Sequence, residues 1–285
     1  MRGLLLEDSA FPGACQELLQ RVRKIRAAPE EGGRGRRGGW VTSGPFKGHR
    51  RYVPGDEPRR VDWHAYARTG ELFVKLFEAH RGRVLPLLVD LSSSMEDGSP
   101  PRWTAALRAA GALVYLGLAL AERVDLVLAY GGPRWEALSL RGGGDLLEGW
   151  TFLDRARPGG RGGALAAVTA LLRNRRGGTL WWISDFLPFD GAVLEHALER
   201  RFQVRGILPL VPQDGEPRLP RRVSLRGLEG EGRASLEVTA ALRERVVRLW
   251  EEEMERVRTC LAGTGGGLFR LRPGRTLEDL APAMG

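Results

Sequence analysis

Val84-Leu85-Pro86-Leu87-Leu88-Val89 is a short apolar run, and it ends in Asp90-Leu91-Ser92-Ser93-Ser94. An unbroken apolar run of this length predicts a strand buried on both faces, as in a parallel sheet. A long Ala/Leu-rich stretch, residues 102–121, follows and predicts a helix. Strand, polar loop and helix in that order open an α/β unit.

Working outward, the same alternation continues. Residues 124–130 predict a second strand and 179–184 a fourth, which ends at Asp185. Residues 202–210 predict a fifth strand and 268–271 a sixth. Residues 135–140 predict a third strand at an edge, antiparallel through the Gly131-Gly132-Pro133 turn. Helices are expected over 145–153, 164–173 and 192–200. The expected fold class is therefore α/β, with a mostly parallel six-stranded sheet.

The C-terminal part adds an insertion at about residues 222–238, a polar hairpin turning at Glu229-Gly230-Glu231-Gly232. Helix 240–262 should follow, with Leu242, Val246, Leu249, Trp250, Val257 and Leu261 on one face. Gly263 is its expected cap. A last helix is expected over 277–284.

Residues 1–83 read differently. Helical spacing over 14–26 is broken by Pro29 and by the Arg/Gly tract 32–39. Residues 40–83 show no simple period, apart from a strand-like 72–77. The expected organisation is a basic N-terminal extension, 1–83, and an α/β domain, 84–285.

Charge separates the two parts. Of the formal net charge of +9, residues 1–83 carry 17 basic and 10 acidic side chains, and the remainder carries 27 and 25. A basic surface of this kind suits an acidic partner or nucleic acid, and a preference for Arg over Lys gives the same arithmetic without any partner. The apolar fraction of 42% excludes a mainly disordered chain. Cys15 and Cys260 match no metal or redox spacing, which fits a reducing compartment. The longest apolar run, residues 109–121, is too short to span a bilayer, and Leu4-Leu5-Leu6 is followed at once by Glu7 and Asp8, unlike a signal peptide. A cytoplasmic protein with no membrane span is expected.

Asp90 lies where ligands bind in open α/β sheets, beyond the C-terminal end of a strand. Asp185 lies beside it if the first and fourth strands are neighbours. Carboxylates and hydroxyls are hard oxygen ligands suited to a magnesium-type ion, and the spacing of Asp90, Ser92 and Ser94 lets one loop aim three of them at one centre. The same residues could equally cap the loop and helix by hydrogen bonds. His49, His64, His80 and His196 show no zinc spacing. There is no nucleophile elbow and no phosphate-binding loop, so an enzyme, and an ATPase in particular, is not expected.

Two resemblances extend this reading. The Asp90/Ser92/Ser94 loop with Asp185 resembles the metal-ion-dependent adhesion site of von Willebrand factor type A domains. Upstream, Arg51-Tyr52-Val53-Pro54-Gly55-Asp56-Glu57-Pro58-Arg59-Arg60-Val61-Asp62-Trp63, then Ala67-Arg68, then Val74-Lys75-Leu76-Phe77-Glu78, resembles the block that precedes a type A domain in the bacterial "domain of unknown function 58" family. The resemblance implies a doubly wound sheet of order 3-2-1-4-5-6. It implies Asp90, Ser92, Ser94 and Asp185 as ligands of Mg²⁺ or Mn²⁺. It also implies a non-enzymatic adaptor that works with a MoxR-type AAA+ ATPase. The fifth ligand in that pattern is a Thr. Here the corresponding loop reads Gly159-Gly160-Arg161-Gly162-Gly163, so Arg161 stands in its place. A guanidinium there either repels the ion or replaces its charge.

Arg51, Arg59, Asp62 and Trp63 belong to a short charged and aromatic block that reads either as a clasp onto the sheet or as a surface that binds the partner together with Arg161. Basic and aromatic residues interleaved in this way can also stack on single-stranded nucleic acid. A structural scaffold with a vestigial site is the alternative function, followed by a metal-dependent hydrolase or nucleic-acid-binding protein.

Overall fold

The computed structural model describes residues 4–27, 46–51, 71–77, 84–120, 123–215, 222–226 and 233–284. The chain divides into two compact units, one of residues 37–83 and the other of residues 1–36 with 84–285. The first helix, α1 (Phe11–Ala27), is therefore part of the larger unit. Its buried Phe11, Cys15, Leu18, Leu19 and Val22 recur at helical spacing.

Within the smaller unit, β1 (Phe46–Arg51) pairs antiparallel with β2 (Phe73–Phe77). β1 has no counterpart among the elements expected from the sequence. Its Phe-Lys-Gly-His-Arg-Arg composition carries neither alternation nor an apolar run, and strand pairing alone makes it a strand.

The larger unit holds the central sheet. In chain order its strands are β3 (Val84–Asp90), β4 (Arg123–Ala129), β5 (Trp135–Leu140), β6 (Gly178–Ile183), β7 (Phe202–Pro209) and β10 (Gly267–Leu271). They lie in the order β5-β4-β3-β6-β7-β10. Counted from β3, this is the expected 3-2-1-4-5-6. Every pairing is parallel except β4 with β5. Between β7 and β10 the chain forms the short helix α6 (Pro212–Gly215) and the hairpin β8 (Arg222–Arg226) with β9 (Arg233–Glu237).

Helices cover both faces. On one lie α1, α2 (Arg102–Leu120), α3 (Leu146–Arg155) and α8 (Thr276–Leu280). On the other lie α4 (Leu165–Leu171), α5 (Gly191–Glu199) and α7 (Ala240–Gly263). Trp181 and Trp182, neighbours on β6, are both buried. Trp182 enters the core beneath α4, α5 and α7. Trp181 faces the opposite layer, where Arg205 lies over its ring and donates to the carbonyl of Ala283. Burial of this apolar surface at roughly 25 cal/mol per Å² is the main force holding the layers together.

α2 is long and apolar enough to cross a membrane by length and composition, which corrects the expectation that no segment is. Here it is a mostly buried core helix. Gly117 lets it approach the sheet closely, because a Cβ there would overlap the side chain of Val124.

α7 departs from the expected amphipathic face. Met254, Val257 and Leu261 are buried, whereas Val246 and Leu249 stand exposed. Only the C-terminal half of the helix packs on the core, so apolar spacing over the full length overstates the contact. The expected cap also differs. Gly263 is still helical, and Thr264 closes the helix by donating its hydroxyl to the carbonyl of Leu261 at 2.7 Å.

Candidate functional site

Asp90 ends β3, and Asp185 follows β6 by two residues. β3 and β6 are paired neighbours, with Val89 opposite Ile183. Both carboxylates therefore stand at the C-terminal edge of the sheet. This is the point where strand order reverses, since β3 continues to β4 on one side and meets β6 on the other.

A chain of hydroxyls joins them. Ser184 Oγ donates to Asp90 Oδ2 at 2.8 Å, and the backbone N–H of Ser92 donates to Asp90 Oδ1 at 2.8 Å. Ser92 Oγ and Ser94 Oγ lie 3.1 Å apart, and Ser94 also hydrogen-bonds to Asp185. Asp185 Oδ1 accepts from the N–H of Leu187 at 3.0 Å. Ser92, Ser184 and Asp185 are buried, and Asp90, Ser93 and Ser94 are half-buried. The structure thus brings Asp90, Ser92, Ser94 and Asp185 together.

Burial and the neighbouring charge of Asp185 push the Asp90 carboxyl up to about 6. Its hydrogen bonds to Ser92 and Ser184 oppose this. Burial also raises Asp185, against its hydrogen bonds to Leu187 and Ser94 and the charge of Arg102. Two desolvated carboxylates side by side each disfavour ionisation of the other. Among the described residues no basic side chain donates to either.

Phe186, just after this pair, adopts a left-handed backbone (φ 56°). That conformation costs a non-glycine residue about 1 kcal/mol or more. It is held by the Phe186 N–H donating to Ser184 Oγ at 3.0 Å and by the edge-on packing of its ring against Trp182 at 4.8 Å. The strained turn is what aims Ser184 and Asp185 toward β3.

The glycine-rich loop is laced to the Asp90 loop through backbone. Ser93 donates its N–H (3.1 Å) and its hydroxyl (2.8 Å) to the carbonyl of Gly160. Gly159 N–H donates to the carbonyl of Leu91 at 2.9 Å. Gly160 has a φ of 87°, and a Cβ there would overlap the carbonyl of Tyr130, so the position is closed to other residues. Arg161 is brought to the site by this loop, but its side chain is exposed. Among the described residues it makes no hydrogen bond or ion pair with Asp90 or Asp185. A guanidinium seated between the carboxylates, one of the two expectations for Arg161, is not the arrangement here.

Three contributors were not singled out from the sequence. Ser184 reads as the last residue of a strand. Arg102 reads as the first residue of a helix, yet it is buried and donates twice to Asp214 (both 2.7 Å) and once to the carbonyl of Pro209 (2.7 Å). Asp214 lies 112 positions away, so no local pattern signals the pair. Of the other expected contacts, Arg51 ends β1 opposite Phe73, and Arg59, Asp62 and Trp63 lie outside the described residues.

Two carboxylates and the hydroxyls beside them form a hard-oxygen donor set that fits Mg²⁺ or Mn²⁺. It depends on serine. Among the described residues no group of three or more His, Cys, Asp or Glu stands close enough to hold a metal ion.

The sequence profile of the family described as "Protein of unknown function DUF58" matches residues 48–256. Uncharacterized proteins of Mycobacterium bovis and Mycobacterium tuberculosis are 30% identical over 233 residues, covering 79% of this chain and 74% of theirs. Among solved structures, the chain is similar to the conserved hypothetical protein BatB of Bacteroides thetaiotaomicron, with 18% identity and a TM-score of 0.43 over 71% of this chain and 97% of that one. It is similar to an aerotolerance-related membrane protein of Bacteroides fragilis at 18% identity and a TM-score of 0.40, over 71% and 96% of the two chains. An uncharacterized membrane spanning protein of Vibrio fischeri gives 18% and 0.27, over 71% and 97%. A cytoplasmic location is the expectation from the sequence. Two of the three proteins are described as membrane proteins, and the cytoplasmic placement is withdrawn.

Proposed function

This chain belongs to the DUF58 family, and we propose that it is a non-enzymatic interaction module that engages a protein partner through the crevice between Asp90 and Asp185. The observation that carries the reading is the desolvated pair of carboxylates at the switch point, wired together by Ser92, Ser94 and Ser184, with no basic side chain among the described residues donating to either. Placing two such groups side by side, partly out of water, opposes folding unless a cation repays it. The arrangement is thus better suited to holding a divalent ion than to stabilising the loop.

Asp90, Ser92, Ser94 and Asp185 are the residues that would hold Mg²⁺ or Mn²⁺, in the manner of a von Willebrand factor type A adhesion site. When bound, the ion supplies an open coordination position for a carboxylate of the partner. The protein's own part is to fix the donors. Ser184 and the N–H of Ser92 orient the Asp90 carboxylate, the Leu187 N–H orients Asp185, and Gly160 anchors the Ser93 turn. The partner implied by the family resemblance is a MoxR-type AAA+ ATPase.

Calorimetric titration of the purified chain with Mg²⁺ and Mn²⁺ tests the reading, with Asp90→Ala as control. Saturable binding that vanishes in the variant is expected. Lack of binding of either ion by the wild type overturns the ion. Undiminished affinity of Asp90→Ala for the cognate ATPase overturns the crevice as the contact.

A further inference from the structure

Three arginines lie on the two loops that pack beside the Asp90 loop, and among the described residues none of them is paired with a carboxylate. Arg134 lies on the turn after β4, at whose root the N–H of Tyr130 donates to the carbonyl of Arg134 (3.0 Å) and the N–H of Leu91 donates to that of Ala129 (2.7 Å). Its guanidinium sits 4.6 Å from the Tyr130 ring centroid. Arg161 lies on the loop that receives both bonds from Ser93, and its backbone packs against Gly131 at 2.7–2.8 Å from where a Cβ would stand. Arg157 begins the same loop. It stacks over Trp103, at the start of α2, with 5.2 Å to the ring centroid, and among the described residues donates only to the carbonyls of Asp154 and Ala156.

Among the described residues none of the three has a carboxylate partner. Three acids on neighbouring elements are engaged elsewhere. Asp154 accepts from the N–H groups of Leu5 and Leu6 (2.9 and 3.1 Å), Asp190 from that of Ala164 (2.9 Å), and Glu136 hydrogen-bonds to Tyr130. Ring faces and backbone carbonyls hold Arg134 and Arg157 in place, so little side-chain entropy is lost when a ligand arrives.

We propose that Arg134, Arg157 and Arg161 form a cationic rim that selects an acidic peptide segment, with one carboxylate directed to the crevice and flanking carboxylates paired to the rim. This rests on the crevice being the contact, and it names the chemistry of the partner there. Guanidinium forks match carboxylates in charge and geometry. A peptide is favoured over nucleic acid because the rim is short and broken.

The test uses fluorescence anisotropy of a labelled Glu/Gly-alternating peptide, with labelled oligo-dT as competitor class, on the full chain. Arg134→Gln/Arg161→Gln alters two exposed side chains that make no hydrogen bond among the described residues, and Mg²⁺ titration of this variant reports that the crevice is intact. The expected result is Mg²⁺-dependent peptide binding that weakens about tenfold in the double variant and weakens with added salt. Undiminished peptide binding by the double variant overturns the rim, and leaves the crevice standing if Asp90→Ala still abolishes binding. Binding that survives chelator and Asp90→Ala but is lost in the double variant overturns the ion and supports the rim. Tighter binding of oligo-dT than of the peptide overturns the acidic peptide as ligand. No peptide binding by the wild type overturns the rim, while the Mg²⁺ titration separately decides the crevice.

Discussion

Asp90 ends β3 and Asp185 lies two residues beyond its parallel neighbour β6, and burial together with the charge of Asp185 pushes the Asp90 carboxyl up to about 6. The relationship is costly to the fold. Functional sites are where such costs concentrate.

The first prediction concerns that cost. The folded-state pKa of Asp90 lies above its unfolded value of 3.8, so between about 4 and 6 the native chain binds more protons than the unfolded one. Stability from this group is therefore fully present below about pH 4 and falls as pH rises to about 6. In chelator, Asp90→Asn should be more stable than the wild type at pH 7 by about 2 kcal/mol, and should lose that slope. Urea denaturation at a series of pH values reads both. A variant less stable than the wild type at pH 7 would show that Asp90 holds the loop by hydrogen bonding alone.

Arg102 and Asp214 form a bidentate, buried ion pair. Removing one partner leaves a charge buried without its counterpart. Asp214→Ala should destabilise by about 3–5 kcal/mol, well above the effect of breaking the exposed Arg258–Glu255 pair. Thermal melts of the two variants side by side give the comparison.

Gly159 and Gly160 are adjacent and predict opposite outcomes. A Cβ on Gly159 meets nothing within 4 Å, whereas one on Gly160 runs into the Tyr130 carbonyl at a φ of 87°. Gly159→Ala should be tolerated. Gly160→Ala should cost about 2–4 kcal/mol and weaken Mg²⁺ binding, because Ser93 hangs from the Gly160 carbonyl. Similar Mg²⁺ affinities in the two variants would detach this loop from the site.

Burial pushes the Cys15 thiol up to about 12, while Cys260 is half-buried. The thiolate is the reactive form. In the native protein a maleimide should label Cys260 first, and Cys15 only when the chain unfolds. Mass spectrometry of briefly labelled protein decides it, and rapid modification of Cys15 would mean that α1 opens readily from α2 and α8.

Much of this architecture can be read from one dimension. The run from Val84 to Val89 predicts a strand because burial on both faces favours unbroken apolar residues, and the apolar-rich runs near 124, 179 and 202 follow it at the spacing of an α/β alternation. The loop Asp90-Leu91-Ser92-Ser93-Ser94 marks the site because strand and loop are contiguous. Limits appear where contact, not periodicity, makes the structure. β1 exists by pairing with β2, and the exposed Val246 and Leu249 on α7 carry an apolar pattern that only part of the helix uses.

The sequence alone determined the α/β fold, its strand order through the family resemblance, and the residue types of the crevice. Only the tertiary structure decided which groups share a charge environment. Ser184 on Asp90, Arg102 on Asp214, Gly160 beneath Ser93 and Arg161 turned outward are separated by tens to more than a hundred residues. Backbone periodicity is a local property and is written along the chain. Electrostatic coupling depends on distance and burial through space, and those exist only once the sheet has brought its strand ends together.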